Sequence, residues 1–497
     1  MLDKTQSTLN FDKSIILGQK QTAVKFRMFC KEDNVDSVLA TEITPIINTL
    51  KTAEGVVDIA GKVTAKILVR EQNGIVGGMS YTVDLSDRYD NSAITSNSIL
   101  TSDCTVVEYD VNVEGAEVTV NAVIGVEIRI FERTQVACLQ EGNLECRFET
   151  VTHANAIAKV EEVFSASAQL EIKDDIARVL SSQSNVVVSA VNISDKIMTV
   201  EGEVILNLVY VPTNEDLPQS VLMPFGFTQE ISVAENGVAL ITAIAKSTKI
   251  RLEVFEDQKN SVFTVETLIG VDGVLFEERE QSVIADCFST TNAVSTQNAT
   301  GESSVPKGLY CVFAEIEDDI QVSTEDDWQF VGVFCQEISI LNTQAVTDGI
   351  EVTGIIDGDL LFKSGDGFIS QKTENPFSIT LNVDGVMIGD IVDLRGAIKQ
   401  CDLRFDAGTI HAQWKVAFVV NLLRNVTVSF VADVEEGENL TDAFGAIEVS
   451  LAFAGDSLWE VAKNLNMSIG ELKSLNPELT DPIETNQKLV VYHRTQN

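Results

Sequence analysis

Any catalysis by this chain would draw on three histidines, eight cysteines and 75 carboxylates. The histidines are His153, His411 and His493, and none sits in an HExxH motif or beside a Cys/Asp partner. No GxSxG, GxxxxGK[ST] or GxGxxG occurs where a strand, turn and helix would give it meaning. Paired carboxylates such as Asp318-Asp319 and Asp326-Asp327 imitate a glycosidase pair. In so acidic a chain, chance adjacency is the better account. Asp357-Gly358-Asp359 with Asp366 suggests calcium, but the EF-hand spacing is missing. The cysteines (Cys30, Cys104, Cys138, Cys146, Cys287, Cys311, Cys335 and Cys401) form no CxxC pair, so zinc ribbons and thioredoxin-like chemistry lack support. In a reducing cytosol they read as small, buried apolar residues. We therefore expect a non-enzyme, with no catalytic residue, metal ligand or cofactor to assign.

The bulk numbers limit the partners. Thirty-five basic residues against 75 acidic give a net charge of −40. Such a surface repels nucleic acid and anionic lipid, and favours solubility or a basic partner. The first twenty residues lack a basic segment followed by an apolar one, and no uncharged apolar run is long enough to span a bilayer. The expectation is a protein that stays in the compartment where it was made. A chain of 497 residues exceeds one hydrophobic core, and several domains are expected.

Three stretches share one pattern: VVDIAGKVTAKILV (56–69), IMTVEGEVILNLVY (197–210) and GIEVTGIIDGDLLF (349–362). Aligning Gly61, Gly202 and Gly354 brings apolar residues to every second position on one face. A glycine inside a strand marks a bulge or a close backbone approach. Upstream, Leu39 and Leu180 precede their glycines by the same 22 residues, and Gly332 is a weaker match in the third copy. Downstream, 117–132, 261–277 and 410–424 alternate again. The fold class is thus mainly β: three β-sandwich-like repeats, over 21–140, 160–287 and 306–432, behaving as separate beads. Residues 1–20 form an N-terminal segment, 141–160 a partly helical joint, 288–305 a Ser/Thr/Asn/Gly-rich linker and 433–446 an acidic tether.

The last module, 447–497, is a small α+β unit of βααβ order. Ser457 and Glu460 fit a capping box, and Leu458, Val461, Ala462 and Leu465 follow at helical spacing. Ser468 and Glu471 repeat the device, and Asn476-Pro477 stops the second helix. GDSLWEVA, NMSIGELKSLNP and QKLVV resemble a LysM domain. The resemblance covers a tenth of the chain. It departs at Val449-Ser450-Leu451, where the family has an aromatic-Thr-Val start, and at Thr485-Asn486, where it has Pro-Gly. Members bind N-acetylglucosamine polymers in a shallow groove between two loops. That implies groove residues Ala454, Gly455, Asp456 and Ser457 on one side and Leu479, Ile483 and Glu484 on the other. Leu458, Trp459, Asn476 and Pro477 are the expected module core, with Trp459 packing rather than stacking on sugar.

The layout as a whole, acidic β-rich repeats followed by one C-terminal LysM, resembles clostridial spore-coat morphogenetic proteins of the SipL type. The resemblance implies a mother-cell cytoplasmic protein gathered at the forespore surface. It also implies a LysM that binds the basement-layer morphogenetic ATPase of the spore coat, with other coat proteins as further partners. Binding of N-acetylglucosamine polymers or peptidoglycan is the competing expectation.

Overall fold

The alternating segments become strands, and each repeat uses six of them in the same way. The computed structural model describes residues 4–30, 33–213, 215, 217–253, 261–322, 328–365, 367–440 and 447–492. The first repeat comprises β1 (Lys4–Phe29), β2 (Val35–Ala53), β3 (Val56–Glu71), β4 (Val76–Asp90), β5 (Ile99–Glu114) and β6 (Glu117–Gly142). The second comprises β7 (Glu145–Ile172), β8 (Ile176–Ser194), β9 (Ile197–Pro212), β10 (Gln219–Ser232), β11 (Val238–Glu253) and β12 (Ser261–Phe288). The third comprises β13 (Asn292–Gln321), β14 (Gln329–Val346), β15 (Gly349–Ser364), β16 (Gly367–Asn382), β17 (Ile391–Asp406) and β18 (Thr409–Asn439).

Each repeat is two three-stranded antiparallel sheets around a core. The sheets of the first are β1-β6-β5 and β2-β3-β4, and the second and third repeat this order. Residues of both sheets, among them Phe26, Ile43, Ile59, Leu85, Leu100 and Ile124, fill one shared cluster. The aligned glycines occupy one structural position. Gly61, Gly202 and Gly354 lie opposite Ile47, Val188 and Ile340, each immediately before a bulge in the neighbouring strand. A Cβ there would stand 2.3 Å from the Ile46 carbonyl oxygen, 2.3 Å from that of Val187 or 2.5 Å from that of Ser339. Only glycine lets the bulged backbone approach so closely.

The expected boundaries and tethers need correction. Residues 4–20 belong to β1, which pairs with β6 as far as Gly142. The joint from 145 to 160 is strand, not helix, and pairs with the end of β12. Residues 292–305 of β13 pair with 424–439 of β18, so the stretch 433–439 lies opposite 292–297. The repeats therefore span 4–142, 145–288 and 292–439; residues 441–446 of the acidic tether lie outside the described residues. The physical reason is shared. The first and last strands of each repeat outrun the other four and continue as two-stranded ribbons. In 292–305 the many Ser, Thr, Asn and Gly residues imitate linker composition, and in 433–439 the acidic residues imitate a tether.

The repeats are not beads. Their ribbons meet: the Phe11 ring lies 5.3 Å from His153 and 6.1 Å from Phe430, so one contact joins all three repeats. Asp12, 1 % exposed, accepts hydrogen bonds from Arg133 at 2.8 and 2.7 Å and from the Ala156 amide at 2.7 Å. Ser303 Oγ donates to the Ala154 carbonyl at 2.9 Å, and the Ser14 amide donates to Ser304 Oγ at 2.9 Å. Below the ribbons, β4 meets β8, β10 meets β14 and β16 meets β2, which closes the repeats into a ring. Leu39, Leu68, Val76, Val209, Phe334 and Leu361 form a further cluster fed by all three.

Candidate functional site

The C-terminal module is β19 (Ile447–Ala452), α1 (Leu458–Asn464), α2 (Ile469–Leu475) and β20 (Gln487–Tyr492), with β19 and β20 antiparallel. Both helices begin as their sequences dictate. Ser457 Oγ accepts from the Glu460 amide at 3.2 Å, and the Ser457 amide donates back to the Glu460 carboxylate at 3.3 Å. Ser468 Oγ accepts from the Glu471 amide at 3.2 Å. Asn476 does more than stop α2. Its Nδ2 donates to the carbonyls of Leu472 and Val490, and its Oδ1 accepts from the Val490 amide at 2.8 Å. One side chain thus ties the end of α2 to β20.

The loop entering α1 and the loop leaving α2 lie side by side. The Gly455 amide donates to the Ile483 carbonyl at 2.8 Å, and the Ile483 amide donates to the Asp456 carbonyl at 2.9 Å. Two further ties come from residues that sequence reasoning missed. Asp481 Oδ1 accepts from the Leu458 amide at 3.1 Å, and Asn486 Oδ1 accepts from the Ala454 amide at 2.8 Å. For Asp481 the signal was present, a carboxylate in a loop facing the unpaired amides of a helix start, whereas Asn486 serves an amide of the loop ahead of the helix. Asp456 organises its own turn, accepting from the Phe453 amide at 2.8 Å. The surface between the loops is therefore preset by its backbone.

The expected groove residues divide. Ala454, Gly455 and Glu484 are exposed, and Asp456 and Ser457 are half-buried. Leu479 and Ile483 are not lining residues: they are 8 % and 1 % exposed and pack with Leu458, Leu472 and Leu489. In so small a module, apolar side chains in the second loop are needed for the core. Pro477, expected in the core, is exposed, because it follows the helix end on the outer surface. Leu458 and Trp459 are buried, and Asn476 is half-buried.

Trp459 does more than fill the module. Its Nε1 donates to Asp286 Oδ2 at 2.8 Å, and its ring packs edge-on against Phe288 at 5.1 Å. Lys463, one helical turn on, donates to both oxygens of Asp286 at 2.7 and 2.8 Å. Asp286 and Phe288 end the ribbon of the second repeat, 173 residues from Trp459. Burial works against the ionised Asp286, but the bonds from Lys463 and Trp459, the Lys463 charge and the Cys287 amide outweigh it and hold its pKa low. The outer face of α1 is thus committed to the ring, which leaves the two loops and the sheet outside that contact. No local sequence signal could have paired Asp286 with Trp459.

This βααβ arrangement is matched by one family model. Residues 454–491 are a LysM domain. No curated protein and no solved structure matches the chain. The LysM match covers 38 residues, so it speaks for the module and not for the ring.

The remaining chemistry-bearing residues among those described lie in the ring. His153 is 2 % exposed and wedged against Phe11; burial, aided by Arg279 and opposed by Asp12 and Glu277, lowers its pKa. His411 Nδ1 lies 2.6 Å from Asp319 Oδ1 in a surface pair. Asp357 and Asp359 sit on β15 at the junction with the first repeat. Asp326, Asp327, Asp366 and His493 lie outside the described residues. Among the described residues, no group of three or more His, Cys, Asp or Glu could hold a metal ion, and no helix is long and apolar enough to cross a membrane.

Proposed function

We propose that this protein is a non-enzymatic assembly scaffold, a ring of three β units that presents one LysM domain in a fixed orientation to a partner. The observation that carries the reading is the Asp286 clamp. Trp459 and Lys463, the two residues of α1 best suited to grip a ligand by stacking or charge, instead grip the ring. The module is thereby oriented rather than tethered. The SipL-type resemblance supplies the finer reading: a partner that is the morphogenetic ATPase at the base of the spore coat, met at the forespore surface in the mother-cell cytoplasm. A protein partner also suits the outer sheet face of the module, where Val449, Leu451, Phe453 and Val490 are 60, 60, 57 and 43 % exposed.

The LysM match favours a second reading, binding of N-acetylglucosamine polymers or peptidoglycan between the two loops. Titrating the full chain with the ATPase and, separately, with chitin oligomers distinguishes them. The scaffold reading expects saturable protein binding that weakens when Leu451 and Phe453 are replaced by Ser. Glycan binding without protein binding would reject it.

A further inference from the structure

Two of the eight cysteines face each other across one strand pair. Cys146 of β7 and Cys287 of β12 are direct partners in the antiparallel register. Their side chains share one face, since both pack in the cluster of Leu139, Ile284, Val431 and Val434 at the ribbon tips. Directly opposed residues in an antiparallel pair have Cα atoms about 4.5 or 5.5 Å apart. Both values fall within the window of roughly 4.4–6.8 Å that a disulfide requires. No other cysteine has this geometry: Cys104 faces Val126, Cys138 faces Ser7, Cys311 faces Val419 and Cys401 faces Trp414. Cys335 lies in a register break of β14, and Cys30 lies beyond the end of β1. Both thiols are free in this structure.

The neighbours give the pair a consequence. Cys287 stands between Asp286, which holds Trp459 and Lys463, and Phe288, which packs on the Trp459 ring. The LysM seat is therefore built on the strand end that a Cys146–Cys287 bond would fasten.

We propose that Cys146 and Cys287 are a thiol–disulfide site that reacts with low-molecular-weight disulfides of the glutathione class and, when oxidised, staples the strand ends beneath the LysM domain. Cys146 is half-buried and Cys287 is 2 % exposed, so the sequence of steps follows from access. The Cys146 thiolate attacks one sulfur of the small disulfide, whose S–S bond breaks and releases one thiolate. Cys287 then gives its proton to solvent and attacks the Cys146 sulfur, expelling the second thiolate. The protein loses two electrons and two protons, and the small disulfide becomes two thiols. Burial raises both thiol pKa values, Cys287 to about 12, which makes the exchange slow and leaves Cys287 the resolving partner.

The test uses the folded, full-length chain. It is incubated with oxidised glutathione, alkylated, digested without reduction and mapped by mass spectrometry. The expected product is a Cys146–Cys287 peptide, with the other cysteines recovered alkylated. In C287S, glutathione should remain bound to Cys146; in C146S, no bridge should form. A bridge that forms only in urea, a different pairing, or no reaction at either thiol overturns the site. The wild-type reaction alone decides this, whether or not the variants fold. Amide exchange in α1 should be slower in the bridged sample, and unchanged exchange there rejects the stapling role.

Discussion

Asp286 is the residue on which the orientation of the LysM domain turns. It accepts from Trp459 and twice from Lys463, yet its side chain remains 23 % exposed and that of Lys463 41 %. With solvent screening taken into account, the clamp should contribute about 1–2 kcal/mol. Asp286→Ala should free α1 from the ring without unfolding either part. Tryptophan fluorescence should show a wetter Trp459, and α1 amides should exchange faster. The pH dependence has a definite sign. The folded carboxyl has its pKa lowered from 3.8, so the folded state binds fewer protons than the unfolded chain. The clamp is fully present above that value and is lost as acid drives the pH below it. A fluorescence titration from pH 6 to 2 should show undocking at the acid end in the parent and no such step in Asp286→Ala. Release at neutral pH would contradict this.

At the scale of elements, two short devices decide local structure. The capping box at the start of α1 supplies acceptors for helix amides in a module of few turns, so Ser457→Ala should cost about 1 kcal/mol. Thermal melting followed at the LysM domain should shift downward while the ring transition stays in place. The bulge glycines act in the opposite sense, on the ring alone. Gly202→Ala would press a Cβ to 2.3 Å from the Val187 carbonyl and 2.7 Å from the Phe227 ring. The strand must move or the bulge must open, and a loss of about 1–3 kcal/mol is expected from such overpacking. Urea unfolding measures it, with Gly226→Ala as the mild control, since a Cβ there meets nothing closer than 3.8 Å. These elements were legible in advance because their signals are local. Gly61, Gly202 and Gly354 announced a bulge within one strand pair, and Ser457 with Glu460 announced a helix start. The ribbons were not legible. Residues 288–305 read as a linker because the two-stranded extension that takes in 292–305 needs few apolar residues of its own. Its burial comes from the ribbons of the other repeats, as where Phe11 covers Gly301.

For the molecule as a whole, the difference between a ring and a string of beads carries the strongest consequences. The junction of the first and third repeats places Asp359 where the Thr41 amide donates to it at 3.1 Å, with Asp357 and Glu337 nearby. Burial pushes Asp359 up to about 6, with Asp357 adding to the rise and Thr41 and Lys372 opposing it. Glu337 is raised to about 7 by burial, Glu42 and Asp357, but it keeps solvent contact, so its effect is the smaller. A raised carboxyl stabilises the fold below its unfolded pKa and loses that contribution as pH rises through the folded value. Asp359→Asn should therefore gain stability over the parent between pH 4 and 6 and keep the gain above it, measured as urea midpoints. Ring closure itself was hidden from the sequence, because the residues that meet are hundreds of positions apart. Thr41 and Asp359, or Phe11 and Phe430, carry no mark that joins them. Closure also predicts what truncation does. Independent beads would leave the first two repeats intact in a fragment of residues 1–288. The ring requires otherwise, since Leu9, Phe11 and Val283 are buried against Val428 and Phe430 of the third repeat, and β2 and β10 lose the strands they meet there. The fragment should self-associate in light scattering and lose amide protection along β1, β2 and the end of β12. Native protection in those strands, in a monomeric fragment, would show that the first two repeats fold without the third.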